Sequence, residues 1–183
     1  MQGENNLYLD ELKKLQQSRE IACIYTSRDT SKFAAGIIQC FDEKFVIIEH
    51  ILPTGQYDGF VTRNIEDILK IEQNSKYSNK IKTLSNLYNV KHEKLKIVNQ
   101  DVLFSLFTYA METRKIVTLE LVDSEYDDAV GYVDDVSGDF VRMTGIDRYG
   151  EKDGEIVFKT SNITHLDCGT DTEVALKLLN EIL

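Results

Sequence analysis

The chain has 183 residues, of which 42% are hydrophobic, and its 31 acidic against 21 basic side chains leave a net charge of −10. A single proline and three cysteines exclude proline-rich and disulfide-framework proteins. The longest apolar runs, such as residues 45–48, are too short to cross a bilayer. The N-terminal residues lack the charged and apolar order of a secretion signal, so we expect a cytoplasmic protein without a membrane partner.

The negative charge is concentrated in one half of the chain. Residues 1–95 hold 13 basic and 13 acidic side chains, whereas residues 96–183 hold 8 and 18. An acidic surface repels phosphate backbones, so the second half is not expected to bind nucleic acid. We expect no DNA partner for the chain.

The first half is predicted to contain a helix, five strands and a second helix. Three leucines on one face predict a helix over residues 6–18. Apolar alternation between polar turns predicts strands over 19–26, 33–41, 45–51, 59–64 and 68–72. Helical spacing returns over residues 77–88.

The second half repeats this order. A more apolar helix is predicted over residues 101–113, and strands follow over 114–122, 129–136, 140–146, 155–159 and 163–168. The last helix, residues 171–183, is expected to bury Val174 and Leu178.

Identical residues recur 95 positions apart, which indicates an internal duplication. The stretch 34–71 is repeated without a gap at 129–166, and matching pairs outside and inside it include Arg19/Arg114, Ile21/Ile116, Ala34/Ala129, Gly36/Gly131, Phe45/Phe140, Val46/Val141, Gly55/Gly150, Asp58/Asp153, Gly59/Gly154 and Ile68/Ile163. We therefore predict two domains, 1–95 and 96–183.

Each repeat is predicted to form a strongly bent five-stranded barrel, preceded and followed by a helix, so that the fold class is mostly β with flanking α. Short strands joined by tight turns favour a barrel, which also removes exposed strand edges. Gly36 and Gly131 lie inside the second strand of their repeats, where glycine permits a sharp bend. Phe45 and Phe140 are predicted to be buried in the two cores.

These patterns resemble the Sm/Lsm family, which folds as an N-terminal helix followed by a bent, SH3-like five-stranded barrel. Its first motif has a glycine in the second strand and an aspartate at the next tight turn. This motif is matched here by Gly36, Ile38, Asp42 and Phe45, and in the second repeat by Gly131, Val133 and Phe140. Its second motif is matched by Gly154, Val157, Phe158, Lys159 and Ile163. In the first repeat it is matched by Gly59, Val61, Arg63 and Ile68, with the spacing displaced by one residue.

The resemblance also implies where an RNA base would be held. Valines (Val46 and Val141) stand where the family has its base-binding asparagine, and Lys44 and Asp139 occupy its stacking position. Valine supplies neither stacking nor hydrogen bonds to a base. The candidate binding residues that remain are Lys44, Arg63, Asn64 and Lys159.

No catalytic site, metal site or cofactor is predicted. The sequence has no nucleophile elbow, no phosphate-binding glycine loop and no zinc-protease motif. The densest ionisable cluster is interpreted as a solvated acidic face, or as a docking face for a basic partner, with a carboxylate metal site least favoured. It consists of Asp123, Glu125, Asp127, Asp128, Asp134 and Asp135.

Two functions remain open at this stage. One is a non-enzymatic binding or regulatory module whose acidic second half docks a protein partner. The alternative is a divergent RNA-associated Sm-like protein that uses the neutral first half, through Lys44, Arg63 and their neighbours.

The resemblance further implies a mode of assembly. Sm-like rings pair the fourth strand of one unit with the fifth of the next, so the two halves are expected to form one such junction within the chain. The amphipathic helix after each fifth strand is expected to obstruct ring growth, which favours a monomer or a dimer.

Overall fold

The computed structural model describes residues 7–89, 91–98, 101–122 and 128–182. Its helices are α1 (Leu7–Ser18), α2 (Lys76–Tyr88), α3 (Val102–Thr113) and α4 (Asp171–Ile182). Its strands are β1 (Ile21–Tyr25), β2 (Ala34–Phe41), β3 (Phe45–Ile51), β4 (Tyr57–Asn64), β5 (Lys70–Gln73), β6 (Ile116–Leu121), β7 (Ala129–Ser137), β8 (Phe140–Ile146), β9 (Lys152–Lys159) and β10 (Ile163–Cys168). The prediction of a mostly β fold with flanking helices is confirmed.

The chain divides into two compact units. The first contains the residues up to Tyr57 together with Arg63–Lys94, and the second contains Leu95–Leu183. Asp58–Thr62, in the middle of β4, belongs to the second unit although the sequence places it in the first domain. One repeat thus contributes a strand segment to the unit that is otherwise built from the other.

In the first unit the strand order is β5-β1-β2-β3, with antiparallel pairing. In the second unit β10 pairs with the β4 segment on one side and with β6 on the other, and β7, β8 and β9 follow. Phe60 lies opposite Cys168 and Val61 opposite Asp167. The expected pairing of a fourth strand with the fifth strand of the other repeat is therefore confirmed.

The prediction of two closed barrels is wrong, because the sheets are open. A five-stranded barrel of this kind closes by pairing the fourth and fifth strands of the same repeat. Here the β4 segment pairs with β10 instead, and among the described residues β9 pairs with β8 alone. The edge that closure needs in the first repeat is occupied by a strand of the second.

The 95-residue register holds in backbone detail. A Cβ on Gly36 would lie 2.0 Å from the carbonyl oxygen of Glu49, and one on Gly131 would lie 2.0 Å from that of Thr144, 95 residues further on. The β2–β3 register shifts after Ile38, and the β7–β8 register shifts at the equivalent place. Glycine at these two positions allows the close approach of the neighbouring strand.

The two equivalent phenylalanines differ in burial. Phe45 is 2% exposed, as expected, whereas Phe140 is 47% exposed, so the prediction that both are core residues is wrong for Phe140. Phe140 lies opposite Lys159 in the β8–β9 ladder, and the Lys159 ammonium sits 5.7 Å from the centre of its ring. Phe140 is the first residue of β8, directly after the turn at residues 138–139, and its ring remains half in solvent.

Candidate functional site

The second unit contains a groove of about 620 Å³ between α4 and its sheet. Apolar side chains line most of its wall, and polar ones stand at its ends; the lining residues are Thr118, Val130, Ile146, Asp147, Arg148, Asp171, Thr172, Ala175, Leu176 and Leu179. This size suits a drug-sized ligand or a few side chains of a bound peptide.

In the first unit the equivalent space is filled by three aromatic rings. The rings of Tyr25 and Phe33 are 4.9 Å apart, and Phe33 meets Tyr77 edge-on at 5.2 Å. These rings pack on a core cluster of the first unit that includes Ile51 and Ile81. Adding 95 replaces the three rings with Glu120, Asp128 and Thr172. The groove is therefore open because the second repeat lacks the aromatic residues that close it in the first.

Helix α4 also exposes an apolar stripe beside the groove. Val174, Leu178 and Ile182 are 47%, 59% and 79% exposed, and their spacing of four residues places them on one face. Leu179, which lines the groove, continues this stripe towards the sheet. The prediction that α4 buries Val174 and Leu178 is wrong, because the helix turns its other face to the sheet.

Two residues hold α4 in this orientation. Glu173 is buried, and its carboxylate accepts the Thr118 hydroxyl at 2.6 Å and the Thr170 N–H at 2.7 Å. On the same face, Asn180 donates to the Gly150 carbonyl at 2.8 Å. Burial raises the pKa of Glu173, and the hydrogen bonds from the two threonines act in the opposite direction. These contacts direct Val174 and Leu178 outward.

Helix α2 occupies the same place in the first repeat, but two of the three stripe positions on its outer face are polar; at the third, Leu87 is 76% exposed, like its counterpart Ile182. Asn79 and Thr83 stand 95 residues before Val174 and Leu178, and both are exposed. The exchange of two polar residues for two apolar ones leaves the helix in place. Val174, Leu178, Leu179 and Ile182, together with the groove, are called the α4 surface below.

Four carboxylates line the groove or the cavity next to it. Asp147 and Asp171 line the groove itself. Asp128 and Asp153 line an adjoining cavity of about 160 Å³ that shares Val130 and Ile146 with it. Among the described residues, none of these four carboxylates forms a salt bridge. Of the described residues that line the groove, Arg148 alone is cationic, and its guanidinium donates to the hydroxyl of Tyr149 at 2.7 Å.

The binding residues predicted from the sequence lie elsewhere. Lys44 is exposed, with its ammonium 4.9 Å from the centre of the Phe45 ring, and its carbonyl accepts the N–H of Ile65. Asn64 caps a 3-10 turn by accepting the N–H of Glu66 at 3.0 Å, which gives its side chain a structural role. Arg63 lies next to it on β4 and is half-buried. The structure thus brings Lys44 and Asn64 near each other in the first unit, whereas Lys159 belongs to the second.

The two positions at which the Sm/Lsm family has its base-binding asparagine lie in the cores. Val46 and Val141 are both completely buried. A side chain without solvent exposure cannot contact a base, so neither valine contributes to an RNA pocket.

Half of the predicted acidic face falls outside the described residues, namely Asp123, Glu125 and Asp127. Asp128 is exposed and accepts the N–H of Leu121 at 2.6 Å, and Asp134 accepts the Thr144 hydroxyl at 2.8 Å. Asp135 is exposed. Of the six residues, Asp128 is the one placed beside the groove.

Two of the three histidines lie beside carboxylates. His165 Nε2 lies 2.8 Å from the carboxylate of Asp167 on the same strand, and His92 contacts the buried Glu49. In the described part of the chain, no three His, Cys, Asp or Glu side chains are placed to hold a metal ion. Within the same ranges no helix is both long and apolar enough to span a membrane.

Sequence reasoning missed the α4 surface because it treated the amphipathic helix as a core element. The signal was present in the aligned repeats. In that alignment Asn79 and Thr83 correspond to Val174 and Leu178. The three aromatic residues that fill the space in the first repeat have no aromatic counterpart in the second.

No protein-family model, no curated protein and no solved structure matches the chain.

Proposed function

We propose that this protein is a non-enzymatic binding module, in which the α4 surface of the second repeat docks a protein partner. The observation that carries the proposal is the difference between two equivalent helices. The outer face of α2 is polar at Asn79 and Thr83, whereas that of α4 is apolar at Val174 and Leu178. Both helices follow the fifth strand of their repeat and pack on its first strand, so folding alone does not require this exchange.

A contiguous patch of exposed apolar side chains favours the docking of a partner, because it lowers solubility when it is left uncovered. Burying apolar surface contributes about 25 cal/mol for each Å² removed from water. Val174, Leu178 and Ile182 each retain a large part of their surface for such burial. Isolated apolar residues on a surface are ordinary, but a contiguous patch with an adjoining groove is typical of an interaction site.

The Sm/Lsm relationship is retained as part of the proposal at the level of strand order. In the second unit the fifth, first, second, third and fourth strands of the repeat lie side by side, as β10-β6-β7-β8-β9. The role of the repeat in this proposal is to present α4, and no base-binding pocket is invoked.

The experiment compares capture of partners from native lysate by three forms of the full chain. The variant Val174→Asn with Leu178→Thr gives α4 the residues of α2, and Asn79→Ala with Thr83→Ala is the matched control on α2. The α4 variant is expected to keep its unfolding free energy, because both side chains are exposed, and to lose the partners that the wild type and the control retain. Equal capture by all three forms would contradict the proposal.

A further inference from the structure

We infer that the occupant of the α4 surface is a basic amphipathic segment: an elongated peptide with apolar side chains along one face and lysines or arginines beside them. This inference rests on the proposed function and adds the chemical class of the partner. It is carried by the shape of the apolar surface and by the charge around it.

The shape favours an elongated partner over a compact ligand. Val174 and Ile182 are eight residues apart on α4, so the stripe is about 12 Å long at the rise of an α-helix. The groove lies alongside this stripe and shares Leu179 with it. A helical segment can place apolar residues of successive turns along such a stripe and insert one of them into the groove.

The charge favours a basic partner. Asp147 and Asp171 line the groove, and Asp128 and Asp153 line the adjoining cavity. The cation at the groove, Arg148, already contacts Tyr149. Cationic side chains next to an apolar face would therefore meet carboxylates around the groove, and this complementarity increases the association rate and the specificity.

The same charge disfavours a second copy of this chain as the occupant. In a symmetric dimer each surface meets itself, so the carboxylates of one copy approach those of the other. Antiparallel contact of two α4 helices would bring Asp171 of one copy towards Glu181 of its partner, and both are exposed. Like charges placed opposite each other weaken such a contact.

The experiment measures fluorescence anisotropy of two labelled helical probe peptides of about 18 residues, long enough to extend past the stripe. Both probes carry the same leucine face, and their polar faces carry lysine in one and glutamate in the other. The full-length wild type is compared with Val174→Asn/Leu178→Thr and with the control Asn79→Ala/Thr83→Ala. Titrations are made at about 50 mM and about 500 mM salt, which changes the screening of charges.

We expect the lysine probe to bind at least about tenfold more tightly than the glutamate probe, and the α4 variant to weaken it by at least about tenfold, as loss of two central anchors does. The control should bind like the wild type. If both probes bind equally and the α4 variant loses both, the basic-partner inference is overturned while the proposed function stands.

If the lysine probe binds but the α4 variant does not weaken it, the binding is general charge attraction, and the inference fails. If neither probe binds, the inference fails, and the capture experiment decides separately whether the proposed function stands. Light scattering on the wild type tests whether the α4 surface is occupied by a second copy of this chain. A dimer that the α4 variant dissociates would assign the surface to a second copy and overturn the inference.

Discussion

The guanidinium of Arg19 lies 3.0 Å from the carboxylate of Glu49, which is completely buried on β3. Arg114 is the equivalent residue in the second repeat, and there position 144 is a threonine. Both arginines have a left-handed backbone, with φ of 53° and 51°. Arg19 thus has a buried carboxylate as its partner, whereas the guanidinium of Arg114 lies 4.9 Å from the ring centre of Tyr132.

We expect Arg19→Ala to lower the free energy of unfolding by about 1–3 kcal/mol more than Arg114→Ala, because it leaves a buried carboxylate with one partner fewer. The estimate is kept low because the arginine itself is half-exposed. Urea unfolding followed by circular dichroism measures the difference. Equal losses in the two variants would show that the ion pair contributes little.

The buried Glu173 predicts a pH-dependent contribution to stability. Its pKa is raised above the ordinary value of 4.5, mainly by burial, so the folded protein holds this proton more tightly than the unfolded chain. Its contribution therefore favours folding below about pH 4.5, and stability is lost as the pH rises through the raised pKa.

Replacing Glu173 tests the direction in which stability changes with pH. Glu173→Gln removes the charge, and the amide can still accept from Thr170 and donate to Thr118. The unfolding free energy of the variant, relative to the wild type, should rise as the pH increases from about 4 to about 7. Chemical denaturation at several pH values measures this difference, and a difference that is flat or falls with pH would contradict the assignment.

Truncating the two equivalent phenylalanines tests the difference in their burial. Phe45→Ala should cost about 3–5 kcal/mol, as truncation of a buried aromatic side chain usually does. Phe140→Ala should cost less than about 1.5 kcal/mol, because its ring is half in solvent and loses little packing. Thermal and urea unfolding of both variants measure the two losses in unfolding free energy. Similar losses would contradict the half-exposed position of Phe140.

Association of the full chain is expected to stop at a monomer or a dimer. The edge of β4 is occupied by β10, whereas β9 presents an edge with charged residues such as Lys152 and Glu155, which disfavour further pairing. Light scattering coupled to gel filtration measures the mass. A species of six or more chains would show that β9 does pair with other molecules.

The sequence by itself determined the repeat and the order of its elements. Local signals sufficed for this, because apolar periodicity, turns and an identity spacing of 95 residues can all be read along the chain. The spacing also located the two glycines, Gly36 and Gly131, where strands approach closely. The mostly β fold followed from the same signals.

Only the tertiary structure decided which edges pair and which faces are covered. The pairing of Phe60 with Cys168 joins residues 108 positions apart in sequence and leaves the sheets open. No local pattern distinguishes a helix face that covers a sheet from one that faces solvent. Val174 and Leu178 have the spacing of core residues, but the hydrogen bonds of Glu173 turn them outward, since a buried carboxylate must remain with its donors.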